Sequence, residues 1–388
     1  MKAKVYVFLA LSFLITGLVP AINLTSRVIE GNFRKMGWKK FASLYMADDV
    51  MPWLGKKAYA YGLSVTPSFV YIGKEKWLYL ADPNIPMDPT TVKRNGLSAV
   101  NVANFSRAFI ALTTWDEWFK QHGVKEFKLM VGPDKESIYP EYQPDWAAPA
   151  QRQLSDIIPQ IMTPAKYVDL YPALRAAKQA YAKANDPQLV YYRTDTHWNE
   201  LGAWTAYEAL GANLKKTQPD LVWLKPELGE VEKVLEKEGG DVSTIIYVDK
   251  IIKDKEVLLR FHSDFKAESQ YLNYLTGEPH PENSPNIKYP PRTPTLIKTA
   301  NALNHKKVLW LHDSFGILMQ AYMEATFSEV LHIHPQFANS GMITALVKDF
   351  KPDYVLITTV ERQLLTKEFF RMPPPEEMAD KKTGQGQE

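Results

Sequence analysis

The sequence predicts an α/β protein with a three-layer α/β/α sandwich and a mainly parallel sheet. Short apolar segments typical of buried strands alternate along the chain with longer segments whose apolar residues recur at helical spacing. Strands separated by helices favour a parallel sheet with helices on both faces. The 388 residues, 45% of them hydrophobic, can bury a full core, and this length suggests one large domain or two small ones.

The first hydrophobic segment lies at the N-terminus. Lys2 and Lys4 precede an uncharged run over residues 5–22, which would span about 27 Å as a helix, close to the thickness of a bilayer core. No small-x-small cleavage site follows the run. We therefore expect an uncleaved signal anchor over residues 1–23, with a cleaved signal peptide or a buried helix as the alternatives. Positive residues are more frequent after the run than before it, which contradicts a simple positive-inside count.

The chain then leads into the predicted domain over residues 66–371. Residues 24–65 show no sustained strand pattern and predict short lead-in helices. Two apolar segments at 69–72 and 77–80 flank the turn at 73–76, which together predict a β-hairpin.

Alternating helices and strands follow the hairpin. Helices are predicted over residues 106–122, 172–184 and 199–214, and strands over residues 127–131, 167–170, 190–192, 308–311 and 354–357. Residues 215–300 are charged and proline-rich, and we expect an ordered excursion or a flexible loop there. The polar tail at 372–388 is expected to be disordered.

Composition excludes several kinds of chemistry. Lys and Arg total 46 against 44 Asp and Glu, so the charge balance gives no reason to expect a nucleic-acid partner. The chain contains no cysteine, which excludes disulfides, thiolate zinc sites and a cysteine nucleophile. Covalent chemistry is therefore left to Ser, Thr, Lys or a carboxylate.

The first candidate site follows the predicted strand at 308–311. His312, Asp313 and Ser314 form a polar turn there, before a segment with helical sequence. Ligands bind at the carboxyl ends of parallel strands, and a helix that starts there offers amide donors to an oxyanion. The alternative is that Asp313 or Ser314 merely caps the helix.

The second candidate site follows the predicted strand at 190–192. Asp195 and His197 are two residues apart, so the carboxylate can bond one ring nitrogen and direct the other toward a nucleophile. The alternative is a turn that carries a surface histidine. Together with Ser314, these residues make a possible Ser-His-Asp triad at the strand ends.

A metal site has much weaker support. His332 and His334 would share one face of a strand, as two metal ligands can. No third ligand is evident in the sequence, so we expect no metal.

Four motifs carry a resemblance to a known family. DTHW at residues 195–198, with HDSF far downstream at 312–315, resembles the SGNH-hydrolase-like acetyltransferases of the alginate O-acetylation type. Further similar segments are GKEKWLY at 73–79, PDKESIYPE at 133–141, and KPDYV at 351–355 leading to VER at 360–362. The resemblance covers roughly residues 40–370 and implies an SGNH-type sandwich.

The resemblance assigns roles to the candidate residues. It implies that Ser314 is the nucleophile, His197 the general base and acid, and Asp195 the carboxylate that orients His197. The late position of the serine and the Asp-x-His spacing depart from ordinary SGNH hydrolases, but the acetyltransferase branch shares both features. The glycine and asparagine oxyanion donors of ordinary SGNH enzymes are not recognisable, which leaves the Ser314 amide as the candidate.

Three further residues are candidates for substrate binding. Trp198 is expected either to stack on a sugar ring or to act as a packing anchor beside the helix start. Lys135 and Tyr139 are expected either to line the substrate groove or to belong to a loop that braces the site.

The resemblance implies a polysaccharide O-acetyltransferase that works through an acetyl-serine intermediate without a dissociable cofactor. A carbohydrate acetyl esterase with the same triad and a non-catalytic, anchored polysaccharide-binding assembly protein are the alternatives. The implied partners are a polysaccharide acceptor and a multispanning membrane acyltransferase that supplies the acetyl donor. The implied location is periplasmic, anchored to the inner membrane, or free in the periplasm if the signal is cleaved.

Overall fold

The computed structural model describes Tyr6, Gly17 and residues 50–81, 99–147, 154–163, 166–280, 289–364 and 366–375. Within these ranges, no helix combines the length and the apolar character needed to cross a bilayer. The predicted anchor, apart from Tyr6 and Gly17, lies outside the described residues, as do most of the lead-in at 24–65 and the tail from 376 onward.

The strands in chain order are β1 (Val70–Ile72), β2 (Leu78–Leu80), β3 (Glu126–Gly132), β4 (Tyr167–Val168), β5 (Val231–Glu238), β6 (Lys253–Leu259), β7 (Ser269–Asn273), β8 (Thr295–Thr299), β9 (Asn304–His312), β10 (Phe327–Ile333) and β11 (Tyr354–Val360). Seven of them form one sheet in the order β4-β3-β11-β9-β10-β8-β7. The first five are mutually parallel, and β8 and β7 continue the sheet as antiparallel strands. The β1–β2 and β5–β6 pairs are separate antiparallel ribbons.

The helices in chain order are α1 (Val50–Ala60), α2 (Ala99–Gln121), α3 (Lys135–Ile138), α4 (Leu154–Ile161), α5 (Leu170–Ala182), α6 (Glu200–Leu214), α7 (Asp241–Ile245), α8 (Phe261–Asp264), α9 (Gln320–Thr326) and α10 (Ser340–Phe350). A 3₁₀ helix over Ser314–Met319 follows β9 directly.

Both faces of the sheet are buried. Along β9, Val308 and Trp310 belong to one apolar cluster, whereas Leu309 and Leu311 belong to another. The first cluster includes residues of α5 and α6, and the second includes residues of α2 and α10. Because side chains alternate between the faces of a strand, this division defines three layers and confirms the predicted α/β/α sandwich with an SGNH-like, mainly parallel sheet.

Most predicted elements are confirmed, including the β1–β2 hairpin, α2, α6, β9 and β11. The predicted strand at 190–192 is wrong: Tyr191 pairs only with Trp198 through an isolated bridge, because the chain turns back between them to form the loop that carries Asp195 and His197. The described part of residues 215–300 contains the strands β5 to β8. β5 and β6 were not predicted because both are rich in Lys and Glu, and because β5 is largely solvent-exposed.

Candidate active site

Ser314 lies where β9 ends and the 3₁₀ helix begins. Asp313 caps this helix, since its Oδ1 accepts the N–H of Phe315 at 2.9 Å. The capping alternative is therefore correct for Asp313. It does not apply to Ser314, whose partly exposed hydroxyl is bonded to His197.

Ser314, His197 and Asp195 lie within hydrogen-bonding distance of one another in series. Ser314 Oγ is 2.7 Å from His197 Nε2, and His197 Nδ1 is 2.6 Å from Asp195 Oδ1. Because the carboxylate only accepts, Nδ1 carries the proton and Nε2 presents a lone pair to the serine hydroxyl. This is the arrangement in which a histidine can take the proton of a serine nucleophile.

A short hairpin-like loop positions His197. The N–H of Tyr192 donates to the carbonyl of His197 at 3.3 Å, and the N–H of Asn199 donates to that of Val190 at 3.1 Å. Asn199 then caps α6 by accepting the N–H groups of Leu201 and Gly202. The loop is therefore fixed at one end by the buried helix α6.

The electrostatics of the pair favour a charged imidazole. Burial alone would lower the pKa of His197, but the hydrogen bond and the charge of Asp195 outweigh it, so the pKa is raised above its usual value. Burial would raise the pKa of Asp195, but its bonds to His197 hold that pKa well below its usual range. Asp195 thus stays ionised and stabilises the imidazolium that forms when His197 accepts a proton.

Asp241, which sequence reasoning missed, is a second carboxylate at this site. It begins α7, in the connection between β5 and β6. Its backbone N–H donates to Asp195 Oδ2 at 2.9 Å, and its side chain accepts from the N–H and the hydroxyl of Thr196 at 2.7 and 2.6 Å. A Cβ on Gly240 would lie 2.2 Å from Asp195 Oδ2, so only glycine allows this approach. The Gly239-Gly240-Asp241 turn was the only available signal, and nothing in its spacing points to residue 195.

The structure places Trp198 in the core. Its side chain is 0% exposed, and its ring meets that of Phe315 edge to face with centroids 4.7 Å apart. Gly132, at the end of β3, makes room for both rings, since a Cβ there would lie 2.5 Å from Phe315. This burial favours the packing role over stacking on a sugar.

Lys135 and Tyr139 are also buried, and both donate to or accept from the backbone of the loop that carries Asp195 and His197. Lys135 Nζ donates to the carbonyls of Tyr192, Arg193 and Asp195, at 3.2, 3.0 and 2.7 Å. The hydroxyl of Tyr139 accepts the N–H of Val190 at 3.0 Å. Burial lowers the pKa of Lys135 to about 8. These contacts favour the bracing alternative for both residues.

Arg362, a further residue missed from sequence, brings a positive charge near the triad. It follows β11, pairs with Asp134, and has its guanidinium carbon 5.9 Å from the centre of the Phe315 ring. Its charge opposes the protonation of His197. The VER motif at 360–362 was the available signal.

The two predicted strand histidines have separate partners. His332 Nδ1 is 3.0 Å from Nε2 of the buried His312, whereas His334 Nδ1 accepts the N–H of Gln336. Within the described ranges, the acidic and imidazole groups that converge closely are Asp195, His197 and Asp241. These three groups already have partners: His197 Nδ1 and the Asp241 N–H bond the carboxylate of Asp195, and the carboxylate of Asp241 accepts from Thr196.

The backbone around Ser314 limits where an oxyanion can bind. The N–H of Phe315 is used by the Asp313 side chain, and the N–H of Gly316 donates to the Asp313 carbonyl at 3.0 Å. Ser314 itself supplies the remaining amide of this turn, at the start of the 3₁₀ helix. It therefore remains the candidate oxyanion donor.

A cleft of about 490 Å³ lies between residues of the segment 187–199 and the β5–β6 ribbon. Arg193 and Asn199 line one side, and Val234, Lys253 and Lys255 of the β5–β6 ribbon line the other. Ser314, His197 and Asp195 are not among the lining residues. Its volume is within the range of small-molecule sites, and its walls combine apolar and cationic side chains with the acidic Glu236 and Asp254.

Fold and site together define an SGNH-hydrolase-like protein with a serine at the carboxyl end of a parallel strand. Residues 70–269 match the family model described as SGNH hydrolase-like domain, acetyltransferase AlgX. The chain belongs to this family. The matched span contains Asp195, His197 and Asp241, whereas Ser314 lies beyond it. No curated protein matches the sequence.

Two solved structures of PatB1 show the same fold. PatB1 of Bacillus cereus is 14% identical, with a TM-score of 0.55 over 78% of this chain and 98% of that one. PatB1 with a sulfonyl adduct gives 16% identity and a TM-score of 0.54, over 78% of this chain and 100% of that one. The O-acetyltransferase domain of Pseudomonas putida AlgJ gives 18% identity and a TM-score of 0.47, over 77% of this chain and 93% of that one.

Proposed function

We propose that this chain is a polysaccharide O-acetyltransferase that works through an acetyl ester on Ser314. The observation that carries the proposal is the continuous hydrogen-bonded series from Ser314 Oγ through His197 to Asp195, at 2.7 and 2.6 Å. Membership of an acetyltransferase family supports acetyl as the transferred group.

The first half-reaction acetylates the enzyme. His197 Nε2 takes the proton of Ser314 as Oγ attacks the acetyl carbonyl of the donor, and the Ser314 amide faces the developing oxyanion. When the tetrahedral adduct collapses, the bond to the donor oxygen breaks and His197 protonates that oxygen. Acetyl-serine remains, and His197 is neutral again.

The second half-reaction moves the acetyl group to the polysaccharide. His197 Nε2 now takes the proton of a sugar hydroxyl, whose oxygen attacks the acetyl-serine carbonyl. Collapse of this adduct breaks the bond to Ser314 Oγ, which regains its proton from His197. Each proton that His197 accepts is returned in the same half-reaction, so no cofactor is needed.

Transfer requires that the acceptor be held against competition from water. Water at ~55 M reacts with any exposed acyl-enzyme, but a well-oriented hydroxyl can reach an effective molarity of roughly 10⁵ M. Trp198 is too deeply buried to hold a sugar. An acceptor must therefore be held by groups other than Trp198.

Product partitioning tests this function. An activated acetyl ester is supplied with and without oligosaccharides of candidate polymers, and acetate is counted against acetylated sugar. We expect sugar product to dominate at saturating acceptor. If acetate is the sole product for every acceptor while Ser314→Ala is inactive, the protein is an esterase.

We further propose that residues 5–22 hold the protein in the inner membrane, with the catalytic domain in the periplasm. A membrane acyltransferase would then supply the acetyl donor across the bilayer. The uncharged run and the absence of a cleavage site support the anchor. Mass spectrometry of the native protein tests it, because a mature N-terminus between residues 20 and 30 would exclude the anchor and leave export possible.

A further inference from the structure

We propose that Asp241 is a positioning residue of this active site, which holds the Asp195–His197 loop through Thr196 and adds a second negative charge beside the imidazole. The inference rests on the proposed serine mechanism. It assigns a catalytic consequence to the β5–α7–β6 segment, which carries none of the three triad residues.

Contacts of both the backbone and the side chain support this role. The Asp241 N–H and the His197 N–H donate to different oxygens of Asp195, at 2.9 and 3.0 Å. Together with the bond from His197 Nδ1, these donors fix the carboxylate of Asp195 in one orientation. The Asp241 side chain meanwhile takes two bonds from Thr196, the residue between Asp195 and His197.

The position of the Asp241 carboxylate gives it an electrostatic effect as well. Its Oδ2 lies 3.6 Å from His197 Nδ1, close enough for a charge to act on the ring without a hydrogen bond. The hydroxyl of Thr196 lies beside both groups, since it donates to Asp241 Oδ2 at 2.6 Å and is 3.2 Å from His197 Nδ1. The carboxylates of Asp195 and Asp241 therefore face the imidazolium together.

The other charges around His197 are few in the described part of the chain. Asp195 faces it from its own loop and Asp241 from α7, and both favour the protonated ring, whereas Arg362 opposes it from beyond β11. Lys135 donates to the carbonyl of Asp195 and interacts with the charges of Asp195 and Asp241. Removing the charge of Asp241 should therefore lower the pKa of His197.

The test is the pH dependence of acetyl-ester turnover by the full chain carrying Asp241→Asn. Asparagine keeps the backbone bond to Asp195 and one acceptor oxygen for Thr196, but its amide NH2 replaces the second acceptor, so the substitution removes the charge and one of the two bonds from Thr196. We expect kcat/KM to fall about tenfold, equivalent to about 1.4 kcal/mol, and the acid limb of the profile to move to lower pH. Asp249→Asn is the matched control, because Asp249 belongs to the same β5–α7–β6 segment but has its carboxylate 3.8 Å from Lys250 Nζ.

A second variant separates the two parts of the role. Thr196→Val removes the hydroxyl that donates to Asp241 but leaves every charge in place, so we expect a lower rate with an unmoved acid limb. An unshifted limb in Asp241→Asn, or a rate equal to that of Asp249→Asn, would overturn the proposal. Full activity in Ser314→Ala would instead refute the serine mechanism on which it depends.

Discussion

The carboxylate of Asp313 accepts the backbone N–H of Val360 over 2.6 Å. The same oxygen lies 3.1 Å from the hydroxyl of Thr359, and the other oxygen accepts the N–H of Phe315. One buried side chain therefore joins the turn that carries Ser314 to the end of the neighbouring strand β11. This sets the position of the serine relative to the sheet.

Asp313→Ala should destabilise the domain by about 3 kcal/mol, because it leaves buried donors without an acceptor. Urea unfolding monitored by tryptophan fluorescence measures the change. Asp169→Ala is the comparison, since Asp169 also caps a helix by accepting the N–H of Tyr171, but is only half-buried, and should cost about 1 kcal/mol. Equal losses in the two variants would mean that the Asp313 link to β11 contributes nothing.

Ser314→Ala should reduce acetyl-ester turnover by about 10³-fold or more while leaving the melting temperature unchanged, because the hydroxyl contributes to chemistry and not to core packing. His197→Ala should be similarly damaging, and the double variant little worse than either single one. A sulfonyl fluoride should add its mass to the wild-type peptide containing residue 314 and to no peptide of Ser314→Ala. Retained turnover in a folded Ser314→Ala protein would refute the assignment of the nucleophile.

Trp198→Ala should cost about 3–5 kcal/mol of stability, because it opens a cavity beside Phe315 in the core. Trp198→Phe should recover most of that stability, since an aromatic ring still fills the site. The ratio of transfer to hydrolysis, measured in the folded fraction of Trp198→Phe, should match the wild type. A selective loss of transfer in this variant would restore the sugar-stacking role that burial argues against.

Arg362→Gln should move the acid limb of the turnover profile to higher pH. His197 must be neutral to accept the serine proton, and the positive charge of Arg362 lowers its pKa. Without that charge the imidazole stays protonated up to a higher pH, so the rise in activity with pH begins at a higher pH. The matched control is Arg175→Gln, because Arg175 lies over the Tyr171 ring on α5 and should leave the limb in place. A shift to lower pH would contradict this account.

The central strands of the sheet and the residues of the candidate triad could be predicted from the sequence. Strands such as β9 and β11 are uninterrupted apolar runs, since both of their faces are buried, and such runs can be recognised without tertiary information. The polar turns after 192 and 311 stand out against those runs. The turn after 311 follows β9, but the turn after 192 follows a segment that is not a strand, so the expectation that Asp195 and His197 meet Ser314 rested partly on a strand that does not form.

The contacts that Asp195 and Trp198 make with residues far away in the sequence were not predictable in this way. Asp241 reaches Asp195 because an exposed, charged ribbon folds back over the loop, and such a ribbon has no hydrophobic periodicity to reveal it. The burial of Trp198 depends on Gly132 and Phe315, which come from two other strand ends. Neither relationship is encoded in local spacing.

The family match over residues 70–269 does not coincide with a unit that can fold by itself. Of the sheet strands, β3 and β4 lie wholly within that span, while β8 to β11 lie wholly beyond it. A recombinant fragment cut at residue 269 would leave β3 without its neighbour β11 and expose apolar surface on both sides of a two-stranded remnant, so it should aggregate. Cloning boundaries for this protein must therefore extend past β11, and a gene truncated before that strand should behave as a null allele even though its recognisable domain is intact.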